Sequence, residues 1–121
     1  MATNFVQDGD VLTYANTGSA IASGAVVAIG SLIGIALTDI AATSGTGPVQ
    51  IEGVFTVPKA TGSAWTQGCK LNWDASAGKF DIGTATPAAG DVSVCCVAAA
   101  AAASGDTTGK VLLNVGVGTI T

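Results

Sequence analysis

Clusters of Gly, Ser, Thr and Asp cut this chain into short apolar pieces, and within most pieces the apolar residues alternate. In the segment from Val49 to Val57, the residues Val49, Ile51, Phe55 and Val57 share one parity, while Gln50, Glu52 and Thr56 share the other. In the segment from Lys110 to Val117, Val111, Leu113, Val115 and Val117 do the same. A period of two is the signature of an extended strand, whose successive side chains point to opposite faces. Further pieces of this kind are Phe5 to Gln7, Asp10 to Ala15, Ala25 to Ile29, Leu32 to Thr38, Lys70 to Asp74, Lys79 to Ile82 and Val92 to about Ala100. Short strands separated by turn formers predict an all-β fold, a single-domain compact β-sandwich or small β-barrel of about eight strands with little helix. Ser63 to Gln67 is the one place where a turn of helix is expected.

Two stretches compete with that reading. Ala98 to Ala103 is a run of six alanines directly after Cys95-Cys96-Val97. Alanine is the best helix former, so a helix from Cys95 to Ala103 is the main alternative there. The strand reading puts Val92, Val94, Cys96 and Ala98 on one face and Ser93, Cys95 and Val97 on the other, with alanines that let another backbone come close. Ala20 to Thr38 contains Asp39's neighbour but no charge of its own, and it is long enough to span a bilayer as a helix. Gly30-Ser31 breaks it in the middle, no Trp, Tyr, Lys or Arg anchors its ends, and Val26, Val27, Ile29, Ile33 and Ile35 favour strands. A buried β-hairpin is expected, and no membrane partner.

The chemistry available is narrow. There is no histidine and no arginine, and only Lys59, Lys70, Lys79 and Lys110 stand against seven aspartates and Glu52, for a net charge of −4. That balance disfavours nucleic acid as a partner, since phosphate binding needs clustered positive charge. Without histidine the usual serine and cysteine triads and His-containing zinc sites are excluded. Residues 105–111, GDTTGKV, fall one residue short of a phosphate loop and place Val111 where a hydroxyl should bind magnesium. Asp8-Gly9-Asp10 is too short for a calcium loop. Asp74 and Asp81 are read as solvated carboxylates at hairpin ends. Cys69, Cys95 and Cys96 lack the spacing of a zinc or thioredoxin motif and are read as reduced core residues. No catalytic residue, cofactor or metal is assigned, and no signal peptide is seen at the N-terminus.

Three blocks carry a resemblance: NFVQDGDVLTYA, IEGVFTVPKATGSAWTQGCKLNWDASAGKF and SGDTTGKVLLN. In order and without large gaps they are similar to a family of small tailed-phage capsid cement, or decoration, proteins. The block from Gly53 to Gly62 is the most specific of them. Some members carry a recombinase-like label, which this chain does not support, having neither a phosphate loop nor a basic surface. The resemblance implies a β-rich, oligomeric, non-enzymatic protein on the outer surface of a phage head, made in the host cytoplasm, with the major capsid protein as partner. A tail-associated β module and a small-ligand-binding barrel are the alternatives.

The residues add one observation of their own. Val54, Val97 and Leu112 are apolar on the parity that a lone sandwich would show to water, so a second subunit is expected to cover them. Together with Phe5, in an N-terminal arm of residues 1–9, and the large Trp65, they are the candidate interface. A homo-oligomer is expected, a dimer ahead of a trimer.

Overall fold

The computed structural model describes residues 3–4, 6, 8–116 and 118–121. Among them are ten strands and no helix: β1 (Val11–Ala15), β2 (Val26–Ile29), β3 (Leu32–Ala36), β4 (Thr46–Gln50), β5 (Val54–Pro58), β6 (Lys70–Asp74), β7 (Lys79–Ile82), β8 (Val92–Ala98), β9 (Thr108–Leu112) and β10 (Thr119–Ile120). They pair antiparallel into two sheets. The first has the order β1-β4-β3-β2; the second has β5-β9-β8-β6-β7, with β10 on β8. The apolar run from Ala20 to Thr38 contains the β2–β3 hairpin, turning at Gly30 with φ of 57°. No helix of the described residues is long and apolar enough to cross a membrane.

The expected strand from Val49 to Val57 is two strands, one in each sheet. Gly53 sits between them with φ of 118°, a conformation closed to other residues, and there the chain passes from the first sheet to the second. The sheets then share a core. Ile33 and Ile35 of β3 pack among Val57, Leu71, Trp73, Phe80, Val92 and Val111 of the second sheet. Trp73 and Phe80 are cross-strand partners whose rings meet edge to face, with centroids 5.1 Å apart. The other face of the first sheet carries Val27, Ala36, Ile40 and Val49 beneath Tyr14 and Ile21.

The second sheet is not a closed barrel, but it curls until its edges touch. Lys59, just past β5, bridges to Phe80 of β7, and the Ala60 N–H donates to the Phe80 carbonyl at 2.8 Å. The alanine run forms no helix. It bends at Ala99 and Ala100 after β8 and pairs with the segment at Trp65: the Trp65 and Ala102 peptides exchange hydrogen bonds at 3.0 Å, and the Gly68 N–H donates to the Ala98 carbonyl at 2.8 Å. The close backbone that the alanines admit is therefore residues 65–69, and Ser63 to Gln67 is a bridge, not a helical turn.

The expected strand from Lys110 to Val117 ends early, at Leu112. Asn114 takes a left-handed φ of 51° and turns the chain, so Val115 leaves the face of Val111 and Leu113. The Asn114 side chain reaches the first sheet. Its Nδ2 donates to the carbonyls of Ile33 and Ile51, each at 2.6 Å, and its Oδ1 accepts from the Ile33 N–H at 2.9 Å. Removing this amide leaves three part-buried backbone groups without their partner, at about 1 kcal/mol or more each. Asn114→Ala is expected to lower stability by about 3 kcal/mol in urea unfolding. Asn114→Gly should lose less, by about 1 kcal/mol, because it keeps the left-handed backbone without strain. A loss below about 0.5 kcal/mol in both variants would remove the clasp from the account, and equal losses in the two would remove the backbone contribution.

Candidate interaction surface

β8 is the strand on which the surface depends. Alternation places Val94 with Val92 and Cys96, and Cys95 opposite. The structure differs. From Trp73 paired with Val92 to Leu71 paired with Cys96, β6 advances two residues while β8 advances four. The two extra residues form a bulge at Val94, which has φ of 53°. Asn72 on β6 holds it: its Oδ1 accepts the Val94 N–H at 2.8 Å. The bulge turns Val94 outward, to 41% exposure, and buries Cys95 and Cys96 together. Val94 and Val97, expected on opposite faces, thus both open to the outside.

On that outer side the register lines up three residues that come from distant parts of the chain. Val54 of β5 pairs with Leu112 of β9, and Leu112 pairs with Val97 of β8. Directly paired residues share a face, so Val54, Leu112 and Val97 form one cross-strand row, and Lys70, the partner of Val97, continues it. Val54 is 54% exposed and Leu112 37%, while Val97 is half-buried. Beside Val97 the row opens into a shallow groove of about 330 Å³ lined by Lys70, Val94, Cys96, Val97, Val115 and Gly116. Val115, at 58% exposure, forms its outer wall. Sequence parity pointed to the row. The groove was missed, because neither the bulge at Val94 nor the turn at Asn114 follows from alternation.

The remaining candidates lie elsewhere. Trp65 is inside, only 3% exposed, with its Nε1 donating to the Ala100 carbonyl at 3.2 Å. Its indole lies across β9 where Gly109 has no side chain; a Cβ there would overlap the ring. The size of Trp65 serves the core of this subunit. Phe5 lies outside the described residues, and Val6 beside it is almost fully exposed. Lys59, unremarked in the sequence, is buried. Its Nζ donates to the carbonyls of Ala60 at 2.9 Å and Ser63 at 2.7 Å and stands 5.2 Å from the centre of the Trp65 ring.

The polar chemistry is structural. Asp74 accepts from the Ala77 N–H at 3.1 Å and from the Ser76 hydroxyl at 2.9 Å, which close the β6–β7 turn and hold its carboxyl below the usual range. The buried Asp91 accepts from the Ala75 and Ala88 N–H groups. Among the described residues no cluster of three or more His, Cys, Asp or Glu could hold a metal ion. The Cys95 thiol is pushed up by its contact with the Cys96 thiol and by burial, so it stays protonated. Its Sγ lies 3.8 Å from the Val92 carbonyl. Cys95 and Cys96 are both closed off from solvent, so an aromatic disulfide reagent is expected to modify no more than one thiol in the folded protein, the half-buried Cys69, and all three after unfolding. Rapid modification of three thiols in the folded state would show that the pair is reactive.

The model of the phage cement protein family matches residues 6–113. No curated protein and no solved structure matches the chain.

Proposed function

Because the chain belongs to the phage cement protein family, we propose that it is a non-enzymatic structural protein of the virion, which binds the outer surface of the phage head and stabilises the shell. The observation that supports this reading is the apolar row of Val54, Leu112 and Val97, which lies across three paired strands with Val54 and Leu112 exposed. A cement protein must present the same surface at many equivalent places on a shell. It needs a fixed backbone and contacts that multiply. The short turns and the amide clasp at Asn114 supply the first. Self-association supplies the second, since an oligomer touching several capsid subunits at once gains avidity.

In this reading the chain works as one domain and as a closed symmetric homo-oligomer, a dimer ahead of a trimer. Residues 1–9 act as an arm that brings Phe5 to a neighbour or to the shell. The major capsid protein is the partner, with neither nucleic acid nor membrane involved, and synthesis takes place in the host cytoplasm. The low charge and small β-branched residues suit broad apolar contact rather than electrostatic capture.

Purified protein added to undecorated heads of the phage that encodes it is expected to bind saturably, and decorated heads should survive heat or chelator better than bare ones. Variants that disrupt the oligomer should bind heads more weakly by about a hundredfold, the loss of avidity. Absence of binding to heads, with the protein found in tails instead, would overturn this function.

A further inference from the structure

We propose that Asp8-Gly9 is a site of spontaneous backbone modification, at which the Asp8 carboxyl closes on the Gly9 nitrogen to form a succinimide that reopens mainly as isoaspartate. The reaction is intramolecular and needs only an open junction.

The sequence singles the site out. Ring closure brings the nitrogen of the following residue onto the side-chain carbonyl of an Asp or Asn, and any side chain on that following residue stands in the way. The chain has seven aspartates and four asparagines, and of these only Asp8 is followed by glycine. The others precede Val, Ile, Thr, Ala, Phe or Trp. The structure withholds the second protection, which is hydrogen bonding. The carboxylates of Asp39, Asp74, Asp81, Asp91 and Asp106 each accept a backbone N–H that fixes them in place. Among the described residues nothing bonds the Asp8 carboxylate or the Gly9 N–H, and both residues are exposed. Asp10, two residues on, is equally exposed, but it is followed by Val11, which is fixed in β1 opposite Gln50. The fold makes no demand for glycine at position 9. Its φ lies outside the left-handed region, and a Cβ there would meet nothing within 4 Å. What the missing side chain does is leave the nitrogen open.

The step balances without oxidant or cofactor. The Gly9 nitrogen bonds to Asp8 Cγ, and one carboxyl oxygen leaves as water with the Gly9 proton and the carboxyl proton. Water then opens the ring. Attack at Cγ restores aspartate. Attack at the Asp8 main-chain carbonyl leaves the nitrogen on Cγ, so the backbone runs through the side chain and the α-carboxylate hangs free. Mass and charge are unchanged, but one methylene is inserted between residues 1–7 and β1. The fold is insulated from that change. Among the described residues the chain is first tied to the sheet at the Asp10 carbonyl, which accepts the Ile51 N–H at 2.9 Å, beyond the altered bond. A virion protein is not renewed after assembly, so the product accumulates with age; that consequence rests on the virion reading, and the chemistry does not.

The purified full chain is held for weeks at physiological temperature and at mildly acidic to neutral pH, then digested and mapped, with an isoaspartyl methyltransferase and a labelled methyl donor as the probe. Isoaspartate is expected at residue 8 above every other Asp and Asn position. Its rate should be close to that of a synthetic peptide of the same local sequence, and the urea midpoint should not move. Gly9→Ala, which the open space and ordinary backbone accommodate, should slow the reaction several-fold. Asp8→Asn, which keeps the glycine and offers a better leaving group at neutral pH, should speed it many-fold. A folded chain that reacts far more slowly than the peptide, isoaspartate spread evenly over the other positions, or a Gly9→Ala rate equal to that of the parent would overturn the site. The measurement uses the purified protein alone, so a failure to bind phage heads would remove the capsid role and leave this site standing.

Discussion

The architecture depends on one side-chain amide standing where a strand is missing. In the first sheet the β3–β4 ladder runs for only two pairs, Ile35 with Gln50 and Ala36 with Val49, because the chain leaves β4 for the second sheet. The outward N–H and carbonyl of Ile33 are then without a rung. Asn114 supplies it. A carboxamide has the donor and acceptor of a peptide group in the same plane, and here it bonds both backbone groups of Ile33 and the departing carbonyl of Ile51. The sheets are held by this graft as well as by their core, and the graft has a geometric consequence. To aim its side chain, Asn114 takes a left-handed backbone, and the turn that follows carries Val115 outward to wall the groove. The same interaction that ties the layers thus shapes the surface.

Most of the strands were legible because strand parity depends only on neighbours in the chain. Val54, Val97 and Leu112 stood out as surplus apolar residues on the outward parity of three separate segments, and their lining up in a row is what antiparallel pairing does to residues of like parity. Parity fails wherever a residue is inserted or the backbone changes hand. Val94 shows this. SVCCV contains strong strand formers and no glycine, so nothing local announces a bulge. Its partner lies over twenty residues away, in the Asn72 side-chain Oδ1 that accepts the Val94 N–H. Gly53 was the milder case: a glycine inside an alternating run is a known sign of a break, and it divided one expected strand between two sheets.

Trp65 was expected at an interface and Lys59 went unremarked for a common reason. A large aromatic and a lysine are each ordinary on a surface, and only the fold reveals that they meet inside. Gly109 makes room for the indole, and the alanine run accepts its N–H. With the ring in place, the buried ammonium has a π face on one side and two loop carbonyls on the other, which replace the water it has lost. Lys59 lies within the block from Gly53 to Gly62 that carries the family resemblance. It organises the loop after β5 from within, and that loop carries the bridge to Phe80.

The bridge bears on which parts of the second sheet stay open. An open sheet usually associates through its edges, where unpaired N–H and carbonyl groups accept another strand. In the second sheet the two outer strands, β5 and β7, curl toward each other and join at Lys59 and Phe80, so a foreign strand running along either edge meets the other at that point. Pro58, at the end of β5, removes one more donor from that edge. With edge addition obstructed there, the second sheet is left open on its outer face. A face offers side chains instead of backbone, and side chains can be arranged to fit only one orientation of a partner. The protruding Val54, the central Leu112 and the groove beside Val97 provide that asymmetry within a single row.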